Sequence, residues 1–213
     1  MKDKSIQLGI GKDELDDLDI PKRYQDFASV YNQKVEEWGY RAFQKGAELL
    51  NQYLNENEDI LDAGCGTGLV GMALSNKGFT NITGIDASPE MLEESKKHQS
   101  YKALYLQDMR KTPFRFDENS FNGIICIGVL SLIPDIESLL AEFIRLTKHG
   151  GYIVFSQKED LCKEREYEQI LQMLTDKKCL KREFVSKPEE WLPNREGYEN
   201  DKMLFFVFQV LKA

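Results

Sequence analysis

Asp62-Ala63-Gly64-Cys65-Gly66-Thr67-Gly68 stands between apolar Ile60-Leu61 and the helix-compatible run Leu69-Val70-Gly71-Met72-Ala73-Leu74. The order reads as strand, glycine-rich turn and helix. Three glycines in five positions let the backbone turn tightly and approach a ligand closely, because no Cβ stands in the way. Such a turn also aims the free N–H groups of a helix start at whatever binds there. The chemistry implied is the binding of a nucleotide cofactor. Two further acids, Asp86 and Asp108, close the next strand-like segments, Asn81 to Asp86 and Tyr101 to Gln107.

Two cofactors compete for these glycines. Gly66-Thr67-Gly68-Leu69-Val70-Gly71 fits G-x-G-x-x-G, and Asp86 lies twenty positions beyond Gly66, where a ribose-binding acid of a dinucleotide site is expected. Taken alone, that pattern suggests NAD and a dehydrogenase. Asp62 argues against it, since a carboxylate before the glycines repels a pyrophosphate but suits an ammonium group. The run also starts at Gly64, giving D-x-G-x-G-x-G. Acids ending three successive strands make an edge rich in hydrogen-bond acceptors. S-adenosylmethionine fits that edge, with its sulfonium, ammonium, ribose diol and adenine amine and no phosphate.

The elements that position these residues alternate. An amphipathic segment begins at Pro21, a residue suited to a first helical position, with Tyr24, Phe27, Ala28, Tyr31 and Val35 at helical spacing. A second covers about Arg41 to Leu54. Strands are expected at Ile60–Asp62, Asn81–Asp86, Tyr101–Gln107, Phe121–Val129 and Tyr152–Ser156, with late strands at Leu180–Ser186 and Met203–Leu211. Helices are expected over Gly66–Lys77, after Ser88-Pro89 with Ser88 as N-cap, over Ile136–Thr147 and over Lys163–Thr175. This alternation specifies an α/β fold: a Rossmann-like, doubly wound, seven-stranded, mostly parallel sheet with an antiparallel strand near the C-terminus and helices on both faces. One domain spans 1–213: a mobile acidic tail over 1–20, lid helices over 21–54 and the Rossmann-like core over 55–213.

At 213 residues the chain is long enough to bury a substantial core, and 41% apolar with 30% charged residues is ordinary for a soluble protein. A net charge of −8 with no basic stripe argues against a nucleic-acid partner. Cys65, Cys126, Cys162 and Cys179 have no C-x-x-C spacing and no histidine nearby, so no metal site or disulfide framework is expected. No apolar run reaches membrane-spanning length and no signal peptide is read, which places the chain in the cytoplasm.

The motifs, taken together, resemble the class I S-adenosylmethionine-dependent methyltransferases over about 24–160. The pieces are Ile60 to Gly68, Gly84-Ile85-Asp86-Ala87-Ser88-Pro89-Glu90-Met91-Leu92, Gln107-Asp108-Met109, Phe121 to Leu130, and Lys148-His149-Gly150-Gly151. Tyr24-Gln25-Asp26-Phe27-Ala28, Tyr31 and Tyr40-Arg41-Ala42 resemble the methyltransferase-like protein 27 type of the Williams–Beuren region. The resemblance implies the following roles. Asp62 and the Gly64 carbonyl serve the methionine ammonium, and Gly66 and Gly68 keep the loop low. Asp86 accepts from both ribose hydroxyls, and Ala87 and Met91 pack on the adenine faces. Asp108 accepts from the adenine amine, with the Met109 N–H on the ring. Cys126 and Ile127 border the sulfonium, and Tyr24 and Tyr40 close the pocket. The plainer roles are a turn cap for Asp62, an N-cap for Asp86, an exposed loop acid for Asp108, helix packing for Met91 and a small buried hydrophobe for Cys126.

No general base is legible. His98 ends a surface helix and His149 sits in a turn, and the segment Gly128-Val129-Leu130-Ser131-Leu132 carries no histidine. The absence of an Asn/Asp-Pro-Pro-aromatic run and of a Pro-Cys pair after the fourth strand argues against amino methylation of adenine or glutamine and against cytosine C5 chemistry. The leading expectation is a methyltransferase acting on a small molecule or a protein side chain and releasing S-adenosylhomocysteine. The alternative is a non-catalytic S-adenosylmethionine-binding partner of another protein. The acceptor pocket is expected from the 24–40 helices, the loop after Leu130 and the insertion from Pro188 to Asp201, with Phe27, Tyr31, Trp191 and Tyr198 as candidate walls, although Trp191 could equally anchor its loop.

Overall fold

A computed structural model describes residue 19 and residues 28–212. The expected tail, the helix start at Pro21 and the candidates Tyr24 and Phe27 lie outside the described residues. The chain runs α1 (Ala28–Glu37), α2 (Ala42–Leu50), β1 (Ile60–Ala63), α3 (Leu69–Ser75), β2 (Ile82–Asp86), α4 (Pro89–Lys96), β3 (Ala103–Leu106) and β4 (Phe121–Cys126). A 3-10 turn (Leu130–Leu132) follows, then α5 (Ile136–Leu146), β5 (Thr147–Lys158), α6 (Glu159–Glu164), α7 (Tyr167–Asp176), β6 (Leu180–Val185), β7 (Glu189–Glu190) and β8 (Lys202–Val210).

The strands form one sheet in the order β3-β2-β1-β4-β5-β8-β6. β1 to β5 pair in parallel, and β8 lies antiparallel between β5 and β6. The short β7 pairs with β8 as an eighth strand, so the loop from Pro188 to Asp201 contributes a strand that was not expected. Strand order reverses between β1 and β4, which puts a crevice at the carboxyl ends of those strands.

Each central strand feeds two cores, because successive side chains point to opposite faces. Leu61, Ile124, Cys126, Ile153, Phe155, Phe206 and Phe208 pack with α5 and α7 residues such as Leu139, Phe143 and Leu171. Ile60, Ile125, Ile127, Val154, Phe205 and Val207 pack with Ala47 and Leu50 of α2 and Val70 and Leu74 of α3. A sheet covered on both faces explains why β4 reads as an unbroken apolar run.

Local signals act where expected. Ser88 caps α4 by accepting the Met91 N–H at 3.2 Å, and Asp135 caps α5 by accepting the Ser138 N–H at 2.9 Å. The expected Lys163–Thr175 helix is instead two helices, α6 and α7. Arg165 ends α6, and Glu166 takes a left-handed φ of 52°. β5 starts earlier than Tyr152, because Thr147 already pairs with Phe121. Among the described residues no helix is long and apolar enough to cross a membrane.

Candidate active site

The β1–α3 turn is anchored to β2 by its own main chain. The Gly64 and Cys65 N–H groups both donate to the Ile85 carbonyl, at 2.8 and 2.9 Å. Gly64, Gly66 and Gly68 all take positive φ (79°, 53° and 92°), which a side chain would strain. Asp86, at the end of β2, accepts from the Gly66 N–H through Oδ2 at 2.8 Å and from the Ser88 N–H through Oδ1 at 2.9 Å. One carboxylate thus ties the glycine turn to the start of α4. Burial pushes the Asp86 carboxyl above its ordinary value, and the Ser88 and Gly66 N–H groups oppose that rise.

Beyond β3, Asp108 is held by Arg110, whose Nε and Nη2 donate to its two oxygens at 3.0 and 2.9 Å. Burial raises the Asp108 carboxyl, but the Arg110 hydrogen bonds and charge together outweigh it and hold it below the usual range. Asp108 is therefore a fixed anion, not an idle loop acid.

These groups open onto a cleft enclosing about 810 Å³, its mouth included. That volume is in the range of small-molecule and cofactor sites. Of the expected site residues, Tyr40, Gly64, Gly66, Asp86, Ala87, Met91, Asp108, Met109 and Ile127 line it. Asp62, Gly68 and Cys126 do not. Gly68 is the N-cap of α3, and Cys126 is a fully buried thiol within the core. Asp62 is also fully buried, and its Oδ2 accepts the Tyr101 hydroxyl at 2.6 Å. Its position follows from strand parity. Asp62 alternates with Leu61 and so points to the face of β1 that carries Ile60, under the turn.

Several lining residues escaped the sequence reading. Phe43 comes from α2, Cys65 and Thr67 from the turn itself, and Val129, Leu132 and Ile133 from the segment after β4. The signal for Phe43 was its place on an amphipathic helix; Leu132 and Ile133 lie in the loop after Leu130, which was expected at the acceptor pocket as a segment and not residue by residue. The segment that holds them is gripped by Arg165, whose guanidinium donates to the Ile133, Ser131 and Leu130 carbonyls at 3.1, 3.2 and 3.4 Å. Thr67 donates from its hydroxyl to Asn32 Oδ1 of α1 at 2.5 Å, tying that helix to the turn.

Of the candidate acceptor walls, Tyr31 lines the cleft, whereas Trp191 and Tyr198 do not. Those two rings pack edge-on at 5.7 Å, and Arg195 stacks on Tyr198 and Trp38. Trp191 is therefore a loop anchor. Burial pushes the Cys65 thiol well up, reinforced by the charges of Asp62 and Asp86, so it is no ready nucleophile.

Residues 61–155 match a methyltransferase domain. Methyltransferase-like protein 27 of Homo sapiens is 29% identical over 164 residues, which cover 72% of this chain and 63% of the human protein. The chain therefore spans less than two thirds of that relative's length. A chain from the complex between the Haloferax volcanii Trm112 methyltransferase activator and a methyltransferase superposes with a TM-score of 0.69 at 16% identity, covering 91% of this chain and 98% of that one. A TehB-like S-adenosylmethionine-dependent methyltransferase of Corynebacterium glutamicum gives 0.68 at 20% identity, covering 89% and 99%. The two structures speak for the fold, and the domain match runs through the turn, Asp86 and Asp108. Residues 61–155 therefore carry the likeness to a methyltransferase domain, and the fold is the one seen in S-adenosylmethionine-dependent methyltransferases of known structure.

Proposed function

We propose that this chain transfers a methyl group from S-adenosylmethionine to a partly apolar acceptor, a small molecule or a protein side chain. The observation that carries the reading is one cleft with two unlike linings. Asp86, Asp108 and the glycine turn supply acids and main chain; Tyr31, Tyr40, Phe43, Leu132 and Ile133 supply aromatic and aliphatic surface. When bound, the cofactor supplies an electrophilic methyl carbon on a sulfonium.

The residues present suit that cofactor. Asp86 already accepts two N–H groups, yet a carboxylate has about four acceptor sites, which leaves lone pairs for ribose hydroxyls. The Gly64 carbonyl would take the ammonium end, and Asp62 would act from beneath the turn. Room there depends on glycine, since a Cβ on Gly64 would lie 2.5 Å from Val129 Cγ2. Ala87 and Met91 would flank the adenine, Asp108 would accept from its amine and the Met109 N–H would meet the ring. Ile127 would border the reacting centre, and Tyr40 would close it.

The lining thiol is protonated at neutral pH, and Asp108 is committed to Arg110. An acceptor that arrives already nucleophilic needs only orientation and exclusion of water for an in-line displacement. A non-catalytic partner with this fold would have its acceptor region filled by its own side chains; the open cleft favours an enzyme.

Calorimetry with S-adenosylhomocysteine and NAD, run side by side, tests the cofactor. Binding of the first alone supports the reading, and binding of NAD alone overturns it. Formation of S-adenosylhomocysteine from S-adenosylmethionine across acceptor panels then tests catalysis.

A further inference from the structure

Asp62 and Tyr101 form a buried pair beneath the glycine turn. Asp62 Oδ2 accepts the Tyr101 hydroxyl at 2.6 Å, while Oδ1 is buried with no hydrogen-bond partner. The same hydroxyl accepts the Gly71 N–H at 3.0 Å. Gly71 lies in the first turn of α3, where N–H groups have no partner within the helix. The N-cap there is Gly68, which has no side chain to supply one. Tyr101, from the approach to β3, provides the missing cap.

The ring is fitted as closely as the hydroxyl. A Cβ on Gly71 would lie 2.2 Å from the Tyr101 ring, one on Gly84 2.9 Å and one on Gly68 3.3 Å. The third glycine of G-x-G-x-x-G therefore makes room for a tyrosine of this chain. That explains, without a dinucleotide, why the fingerprint is present.

We propose that Tyr101 is a positioning residue for the cofactor turn: through its hydroxyl the ionised Asp62 carboxylate holds Gly71, and with it the glycine turn, in the binding geometry. The inference rests on the cleft being the cofactor site. The strut is sensitive to pH. Asp62 is bonded by Tyr101, and its charge is felt by Cys65 of the turn and by Cys126 of β4, while that of Asp86 of β2 acts on it. Burial pushes its carboxyl up to about 7; the Tyr101 hydrogen bond opposes this and Asp86 adds to it. A protonated Asp62 holds the hydroxyl less firmly, so the geometry loosens as pH falls through that value.

The test is S-adenosylhomocysteine affinity, by calorimetry from about pH 6 to pH 9. The wild-type protein weakens as pH falls through about 7. Tyr101→Phe binds about tenfold more weakly, as for a lost hydrogen bond to a charged group. Its pH-dependent fall flattens, because the hydroxyl that couples the Asp62 carboxyl to Gly71 is gone. Asp62→Asn keeps an acceptor for Tyr101 but cannot ionise, and flattens the fall. Tyr101→Phe matching the wild type in affinity and pH profile overturns the strut. Should Tyr101→Phe not fold, Asp62→Asn decides, since an unchanged fall in that variant overturns it equally. A wild-type protein that does not bind S-adenosylhomocysteine at any pH overturns the cofactor reading itself, and the strut with it.

Discussion

The two linings of the cleft are held by different physics. At the ends of β1, β2 and β3 the surface is largely main chain. Gly64, Cys65 and Gly66 are fixed by hydrogen bonds to Ile85 and Asp86, and Tyr101 braces the turn from below. The lining from α1, α2 and the segment after β4 is made of side chains, and its placing is set from far away in the chain. Arg165 reaches the Leu130 carbonyl across 35 positions, and Thr67 meets Asn32 across 35. A backbone site bound to the sheet tolerates little change and suits a cofactor of constant shape. A side-chain site fixed by a few distant contacts can be altered for a different acceptor without disturbing the sheet.

A substitution at Gly71 strikes the first lining hardest. Gly71→Ala forces a Cβ against the Tyr101 ring and should cost about 3 kcal/mol by overpacking. At this chain length that lowers Tm by roughly 6–12 °C, with S-adenosylhomocysteine binding falling alongside. A scanning-calorimetry Tm close to wild type would mean that the slot has slack, and that the main-chain lining is more tolerant than argued. Asp86→Ala removes the acceptors of the Gly66 and Ser88 N–H groups and, with them, those proposed for the ribose. It should weaken S-adenosylhomocysteine by about 1.5–3 kcal/mol, and isothermal titration that finds affinity unchanged removes the ribose assignment.

Arg165→Met tests the second lining. It leaves the Leu130, Ser131 and Ile133 carbonyls without their donor, at a cost of about 1–2 kcal/mol. The acceptor KM should rise several-fold while S-adenosylhomocysteine affinity stays within about twofold; loss of both together would erase the distinction between the linings. The smallest effect is on stability. Burial raises the folded Asp62 carboxyl to about 7, well above the ordinary aspartate value of 3.8. Its contribution to stability is therefore fully present below about pH 4 and is lost as pH rises towards 7. Relative to wild type, Asp62→Asn should gain about 2 °C in Tm at pH 8 and less at pH 5. A gain that is largest in acid would contradict the buried-carboxylate account.

Much of the fold was legible because its signals are local. Unbroken apolar runs marked strands covered on both faces, Ser88 marked a helix start, and the order of elements implied the parallel sheet with a late antiparallel strand. Helix α6 ended earlier than its periodicity suggested because Arg165 turns inward to the 130–133 segment, a demand absent from the residues around it. Trp191 and Tyr198 looked like acceptor walls, since large aromatics in a loop are equally suited to lining a cleft or anchoring the loop. Only their neighbours, Arg195 and Trp38, separate the two.

From the residues alone follow the glycine turn, the acids that end three strands and the chemistry those types can do, because each depends on neighbours within a few positions. The tertiary structure decided which acids face the cleft. Asp86 and Asp108 line it, and Asp62 lies sealed beneath. Strand parity assigns a side chain to one face of a sheet, but what covers that face arrives from elsewhere: for Asp62 it is Tyr101, 39 positions away.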